Sequence, residues 1–181
     1  MKYLLLVLIT LNLYGAKMEN IKNAYFAGGC FWGVEYHFEK LNGVKSAVSG
    51  YMGGTVNNPS YKEVCYGNTG HLEVVKITYD SKVVSFESLA KLFFEIHDPT
   101  QKNGQGPDIG EQYLSAIFYN DENEKEVAKK LIAILESKGY KIATKLISTK
   151  NTPFFAAEEY HQDYYFKHNK APYCHKYTKR F

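Results

Sequence analysis

One tryptophan stands two residues from a cysteine in Gly28-Gly29-Cys30-Phe31-Trp32-Gly33-Val34-Glu35, and the residues on either side of that thiol give it a chemistry. The strand-like run Asn23 to Ala27 precedes it, and Phe31, Val34, Phe38 and Leu41 follow at helical spacing. Cys30 therefore falls at the first turn of a helix, where unpaired backbone N–H groups and the positive end of the dipole favour an anion. The expectation is a thiol biased toward thiolate, the nucleophilic form. A second group with usable chemistry is Glu73. His71 to Asp80 alternates strictly and puts Glu73 with Val75, Ile77 and Tyr79 on the more apolar strand face. An acid there is either at a solvated strand end or desolvated for a purpose, and the alternation leaves both open. Cys174 lies near the end of the chain, in a tail expected to be mobile enough for its thiol to reach another.

The elements that must position these groups are legible in outline. Val44 to Tyr51 reads as a strand, and Met52 to Gly70 as a loop rich in Gly, Asn, Pro and Tyr. Ser85 to Ile96 reads as an amphipathic helix capped by Ser85. Thr100 to Gln112 reads as a second irregular loop, leading into a strand from Tyr113 to Tyr119. Asp121, with Glu124 three residues on, opens a helix running to Ser137, and Gly139 separates it from a strand at Lys141 to Ile147. Strands interleaved with helices predict an α+β domain of two layers, with a mixed or antiparallel sheet. The segment 151–181 has no Leu, Ile, Val or Met but is rich in Phe and Tyr, so it is expected to wrap the sheet as a mostly irregular tail pinned by aromatic rings.

Composition narrows the function classes. Lys and Arg number 22 against 19 Asp and Glu, for a net charge of +3, and the charges are interspersed, so no basic face for nucleic acid is evident. Three cysteines, Cys30, Cys65 and Cys174, make an odd number without metal-ligand spacing, against a disulfide-stapled scaffold or a structural zinc site. His161, His168 and His175 recur every seven residues without a ligating partner and read as solvated surface histidines. No metal or cofactor is expected. Residues 1–16 form a positively flanked apolar run too short to span a bilayer, read as a signal peptide that ends in small residues, with 17–181 as a single domain. An uncleaved helix or anchor is the alternative reading of that segment. Export to the periplasm is the expectation, with no stable membrane association after cleavage; without a working signal the chain stays cytoplasmic.

Several motifs, taken in order, resemble the A-type peptide methionine sulfoxide reductases. They are Gly29-Cys30-Phe31-Trp32-Gly33, Gly50-Tyr51 with Gly53-Gly54, Tyr61-Lys62-Glu63-Val64, Thr69 to Val75, Asp98-Pro99-Thr100-Gln101, Gln105 to Tyr113 and Glu159 to Tyr164. The resemblance covers about Tyr25 to Cys174. It implies reduction of methionine S-sulfoxide, free or in proteins, on a ferredoxin-like α+β roll. By position it implies Cys30 as nucleophile, Glu73 as proton donor, Phe31 and Trp32 as the methyl pocket, and Tyr61, Tyr113 and Asp108 as the polar side. It further implies Cys174 as the resolving thiol, a Cys30–Cys174 disulfide, and a thioredoxin-like reductant as partner. Two departures stand out. The chain ends at Phe181 without the further cysteine that some relatives carry, and Leu114 replaces an arginine that commonly follows the tyrosine.

The chemistry agrees with those roles. A sulfoxide oxygen leaves poorly unless protonated, so thiolate attack on sulfur needs a positioned acid and hydrogen-bond donors. Attack leaves a sulfenic acid, which a second thiol converts to a disulfide. Cys65 is read as a bystander. Two rival readings remain at this level: a cysteine hydrolase with His71 as base, since His71 shares a strand face with Glu73, and a non-catalytic peptide-binding module built on the aromatic residues.

Overall fold

The computed structural model describes residues 20–181; the segment read as a signal peptide lies outside the described residues. In chain order the elements are β1 (Ile21–Gly28), α1 (Phe31–Glu39), β2 (Val44–Met52), α2 (Tyr61–Tyr66), β3 (Leu72–Asp80), α3 (Phe86–Ile96) and the short strands β4 (Gly104–Gln105) and β5 (Asp108–Ile109). A 3-10 turn (Glu111–Tyr113) leads into β6 (Ser115–Tyr119), followed by α4 (Glu122–Ser137), β7 (Lys145–Ser148) and β8 (Phe155–Ala156). A second 3-10 turn (Glu159–His161) and α5 (Tyr164–Lys167) complete the regular structure.

The main sheet has the order β7-β6-β1-β3-β2-β8. Every neighbouring pair is antiparallel except β6 and β7, which run parallel, so the sheet is mixed. Alternation along β3 splits its side chains between two clusters, as the sequence pattern requires. Val75, Ile77 and Tyr79 join the principal core, where Phe31, Val34 and Phe38 of α1, Leu89 and Phe93 of α3 and Leu131 and Leu135 of α4 cover one face of the sheet. Phe26 of β1 lies at its centre, stacked on Phe38, Phe86 and Phe93 at centroid distances of 5.3, 5.9 and 5.0 Å. Leu72 and Val74 point the other way, into a smaller cluster with Ala27, Met52, Ala116 and Phe118, against which Phe154 and Leu114 pack.

The caps explain where the helices begin. Ser85 accepts the Ser88 N–H and Asp121 the Glu124 N–H. The segment 52–70 is not the structureless loop that its lack of periodicity predicts. Ser60 and Glu63 form a reciprocal capping box that starts α2. Six residues are too few to display a helical period. The strand expected from Lys141 begins only at Lys145, where pairing with β6 starts, and Tyr113 belongs to a 3-10 turn rather than to β6.

The tail is better ordered than its composition suggests. Phe155 and Ala156 add an edge strand to β2, and Gln162 reaches back to Ser49, accepting its N–H at 2.9 Å and donating to its carbonyl at 3.0 Å. Buried Glu35 of α1 holds the same region from beneath, one oxygen accepting the Ser49 N–H and the other the Asp163 N–H. The last residues are tied to α3. Glu95 accepts Thr178 N–H through its carbonyl and Arg180 N–H through its carboxylate, while the Arg180 guanidinium donates to the Phe94 carbonyl. The end of the chain is therefore pinned, not mobile. Polar anchoring does what aliphatic burial does not, and a count of aliphatic residues misses it.

Candidate active site

Cys30 is the N-cap of α1, placed by a β1-to-α1 turn in which Gly29 has φ +93°, a conformation L side chains rarely adopt. The helix terminus does not deliver the expected thiolate. Burial pushes the Cys30 thiol well above its usual value, the Glu73 carboxylate pushes it further, and only the Trp32 N–H pulls the other way. Desolvation and a like charge here outweigh one turn of helix dipole.

Glu73 resolves the choice left by the alternation, because it is 2% exposed and so desolvated. Its Oε2 accepts the Phe31 N–H at 3.0 Å, binding the acid to the residue after the thiol. Burial raises Glu73 to about 8, against the partial relief of that hydrogen bond. Near neutral pH the buried carboxyl holds a proton, which removes the charge that most opposes Cys30 ionisation. The two groups titrate as a pair.

The remaining residues picked out by sequence converge on this pair. Tyr61, at the start of α2, and Tyr113, in the 3-10 turn, both lie in the field of Glu73, and burial raises both phenols, so both stay protonated donors. Asp108, in β5, is raised by burial and faces the Cys174 thiol. Cys174 is pushed up to about 12, first by burial and then by the Asp108 carboxylate. Cys30, Glu73, Asp108 and Cys174 thus share one local field.

The apolar wall contains residues that sequence reasoning missed. The Trp32 indole stacks on Tyr164 at 3.6 Å between centroids and 5° between planes, and its Nε1–H donates to His161 Nδ1 at 3.0 Å. His161 also packs against Phe31 and Tyr61 at 4.9 and 4.5 Å. Glu158 accepts the Tyr51 hydroxyl at 2.9 Å and the Tyr61 N–H at 2.8 Å, so the tail fixes α2 to β2 beneath the phenol. The reading of His161 and His175 as solvated is overturned: they are 1% and 2% exposed, whereas His168 is at the surface. The signal lay in their company, since both sit within the aromatic tail whose rings must pack somewhere. Among the described residues no group of His, Cys, Asp or Glu is arranged to hold a metal ion.

Cys65, one turn after Tyr61 on α2, is half-buried, and burial and then the Glu73 charge raise its thiol while Tyr61 lowers it. His71 is spent on the backbone: Nδ1 accepts the Gly54 N–H at 3.2 Å and Nε2 meets the Val56 carbonyl at 2.7 Å. It staples the 52–70 segment and has no free nitrogen for a thiol, which removes the hydrolase pairing.

A buried acid hydrogen-bonded beside a thiol, phenol donors around it and a second thiol within the same field describe a thiol-dependent oxidoreductase on an α+β scaffold. The comparisons agree: the sequence model of the peptide methionine sulfoxide reductase family matches residues 22–181, and the chain belongs to that family. It is 48% identical over 152 residues to the peptide methionine sulfoxide reductase MsrA of Sulfolobus acidocaldarius, covering 83% of this chain and 85% of that protein. With MsrA of Pasteurella multocida the identity is 47% over 154 residues, covering 84% and 87%. Among solved structures, Mxr1 from Saccharomyces cerevisiae in reduced form superposes with a TM-score of 0.79 at 37% identity, covering 91% of this chain and 94% of that one. Mxr1 in complex with Trx2 matches with a TM-score of 0.57 at 26% identity, covering 88% and 91%. The chain is thus a methionine sulfoxide reductase that works through thiol chemistry.

Proposed function

We propose that Cys30 attacks the sulfur of methionine S-sulfoxide, free or in proteins, with Glu73 protonating the departing oxygen. The observation that carries this is the Phe31 N–H···Oε2 Glu73 hydrogen bond, which holds a buried, protonated acid against the residue that follows the nucleophile. Phe31 and Trp32 form the wall for the substrate methyl group, and the sulfoxide oxygen faces the Tyr61 and Tyr113 hydroxyls. Asp108 lies on the polar side. Methionine leaves and the oxygen stays on Cys30 as a sulfenic acid. Cys174 attacks that sulfur, water is released, and a Cys30–Cys174 disulfide remains. A thioredoxin-like dithiol returns both thiols by exchange; yeast Mxr1, whose fold this chain shares, has been captured in complex with Trx2. Residues 1–16 export the enzyme, after which it acts in the periplasm, repairing oxidised proteins without lasting membrane attachment. No helix among the described residues is long and apolar enough to cross a membrane.

The test is a comparison of wild type with Cys30→Ser on methionine S-sulfoxide, its R-epimer and a simple ester. Reduction of the S-epimer alone, lost in the variant, is the expected result. Peptide mapping of enzyme oxidised by substrate without reductant then finds Cys30 joined to Cys174; a Cys30–Cys65 bridge with Cys174 free would assign resolution to Cys65 and overturn the role given to Cys174.

A further inference from the structure

The residue after the second thiol is held more tightly than its place near a chain end requires. The His175 ring is buried under the β1-to-α1 turn, with Nε2 2.7 Å from the Gly28 carbonyl and Nδ1 3.0 Å from Cys174 Sγ. A carbonyl only accepts, so Nε2 carries the hydrogen. Burial lowers His175 to about 4, so the ring is neutral at working pH, and Nδ1 is left bare toward the sulfur. The backbone of His175 is fixed as well, its carbonyl accepting His37 Nε2–H at 2.9 Å. Space for the ring comes from the nucleophile motif itself: a Cβ on Gly33 would stand 2.2 Å from Nδ1 and 2.7 Å from Cγ.

We propose that His175 is the general base of the resolving step, taking the Cys174 proton on Nδ1 as Cys174 attacks the Cys30 sulfenic acid, in a slot that Gly33 keeps open. The inference rests on the reading that Cys174 resolves. The step balances: the Cys174 S–H proton passes to Nδ1, the Cys174–Cys30 S–S bond forms, the Cys30 S–O bond breaks, and hydroxide leaves as water on taking the proton back from the imidazolium. No outside oxidant or reductant enters.

The geometry meets a need that the surroundings create. Burial and the Asp108 carboxylate hold the Cys174 thiol near 12, so little thiolate forms unaided at neutral pH. Glu73 adds like-signed opposition to its ionisation, and His37 and His97 face the imidazole from α1 and the end of α3. Asp108 is the rival proton acceptor, since it also reaches the Cys174 thiol.

The experiment is rapid-quench single turnover of wild type, His175→Ala and His175→Asn with methionine S-sulfoxide and no reductant. Methionine release reports the first step, and mass-mapped Cys30–Cys174 disulfide reports the second. In the alanine variant the ratio of second-step to first-step rate is expected to fall about 10²-fold. Its second step should gain a tenfold rise per pH unit between pH 6 and 9, where wild type is flat. Added imidazole should restore the rate, while the asparagine variant, which offers a hydrogen-bond acceptor but no base, should remain slow. A wild-type ratio in the variants, or a pH-flat second step that assigns the proton to Asp108, overturns the proposal. Equal loss in both steps also overturns it, in favour of a packing role. Cys174→Ser run alongside separates the two readings: if that variant still forms an intramolecular disulfide, the identity of the resolving thiol is what has failed.

Discussion

Replacing Glu73 with glutamine tests the acid and the thiol at once, because the structure makes them move in opposite directions. Glutamine keeps the shape and leaves an amide oxygen to accept the Phe31 N–H, now 3.0 Å from Oε2. It removes the transferable proton. With Glu73 near 8, about nine-tenths of the enzyme carries that proton at pH 7. A positioned general acid contributes about 10² to 10⁴ in rate, so the barrier of the first step should rise by about 3 to 5 kcal/mol. The same substitution removes the charge that, after burial, most opposes ionisation of Cys30, so the thiol should titrate lower and alkylate faster with iodoacetamide. The assay is single-turnover methionine release beside alkylation of Cys30, each from pH 6 to 10. In wild type, release should decline above about pH 8 as Glu73 loses its proton; in Glu73→Gln that limb should vanish while alkylation accelerates. Release within threefold of wild type, or an unchanged alkaline limb in the variant, would show that another group supplies the proton.

Other outcomes follow from the same contacts. Glu73 is raised in the folded state from 4.5 to about 8, so its contribution to stability is full below 4.5 and is lost as pH rises through 8; the thermal midpoint of wild type should fall across that window more than that of Glu73→Gln. Gly33→Ala places a methyl 2.2 Å from His175 Nδ1 and should cost about 1 to 3 kcal/mol in urea unfolding, with slower Cys30–Cys174 disulfide formation; unaltered stability would mean the slot is looser than its geometry. Phe26→Ala empties the centre of the stacked Phe38, Phe86 and Phe93 group and should lower stability by about 3 to 5 kcal/mol by the same measurement.

What sequence made legible divides along physical lines. Period-two and period-3.6 patterns report which face is buried, so β3, α1, α3 and α4 were readable, as were Cys30 and Glu73 at their places on them. Patterns do not report electrostatic sums. The first turn of α1 suggested a thiolate, while burial and Glu73, 43 residues away, set the opposite sign. The short helix α2 was missed because nothing in a hydrophobic period reports it; its only mark in the sequence is the Ser60 and Glu63 capping pair. The tail was least legible because its anchoring is polar and long-range. Glu35 and Glu95 lie far back in the chain from Asp163 and Arg180, and neither partner signals the other.

Met52 carries a consequence of its own. It is the one methionine among the described residues, 1% exposed in the small cluster with Leu72, Val74 and Phe118. An oxidant converts this side chain into a polar, chiral one that such a cluster accommodates poorly. A catalyst that mends this lesion of oxidation in other chains works amid the agent that causes it, and the one thioether among the described residues is withheld from that agent in the core.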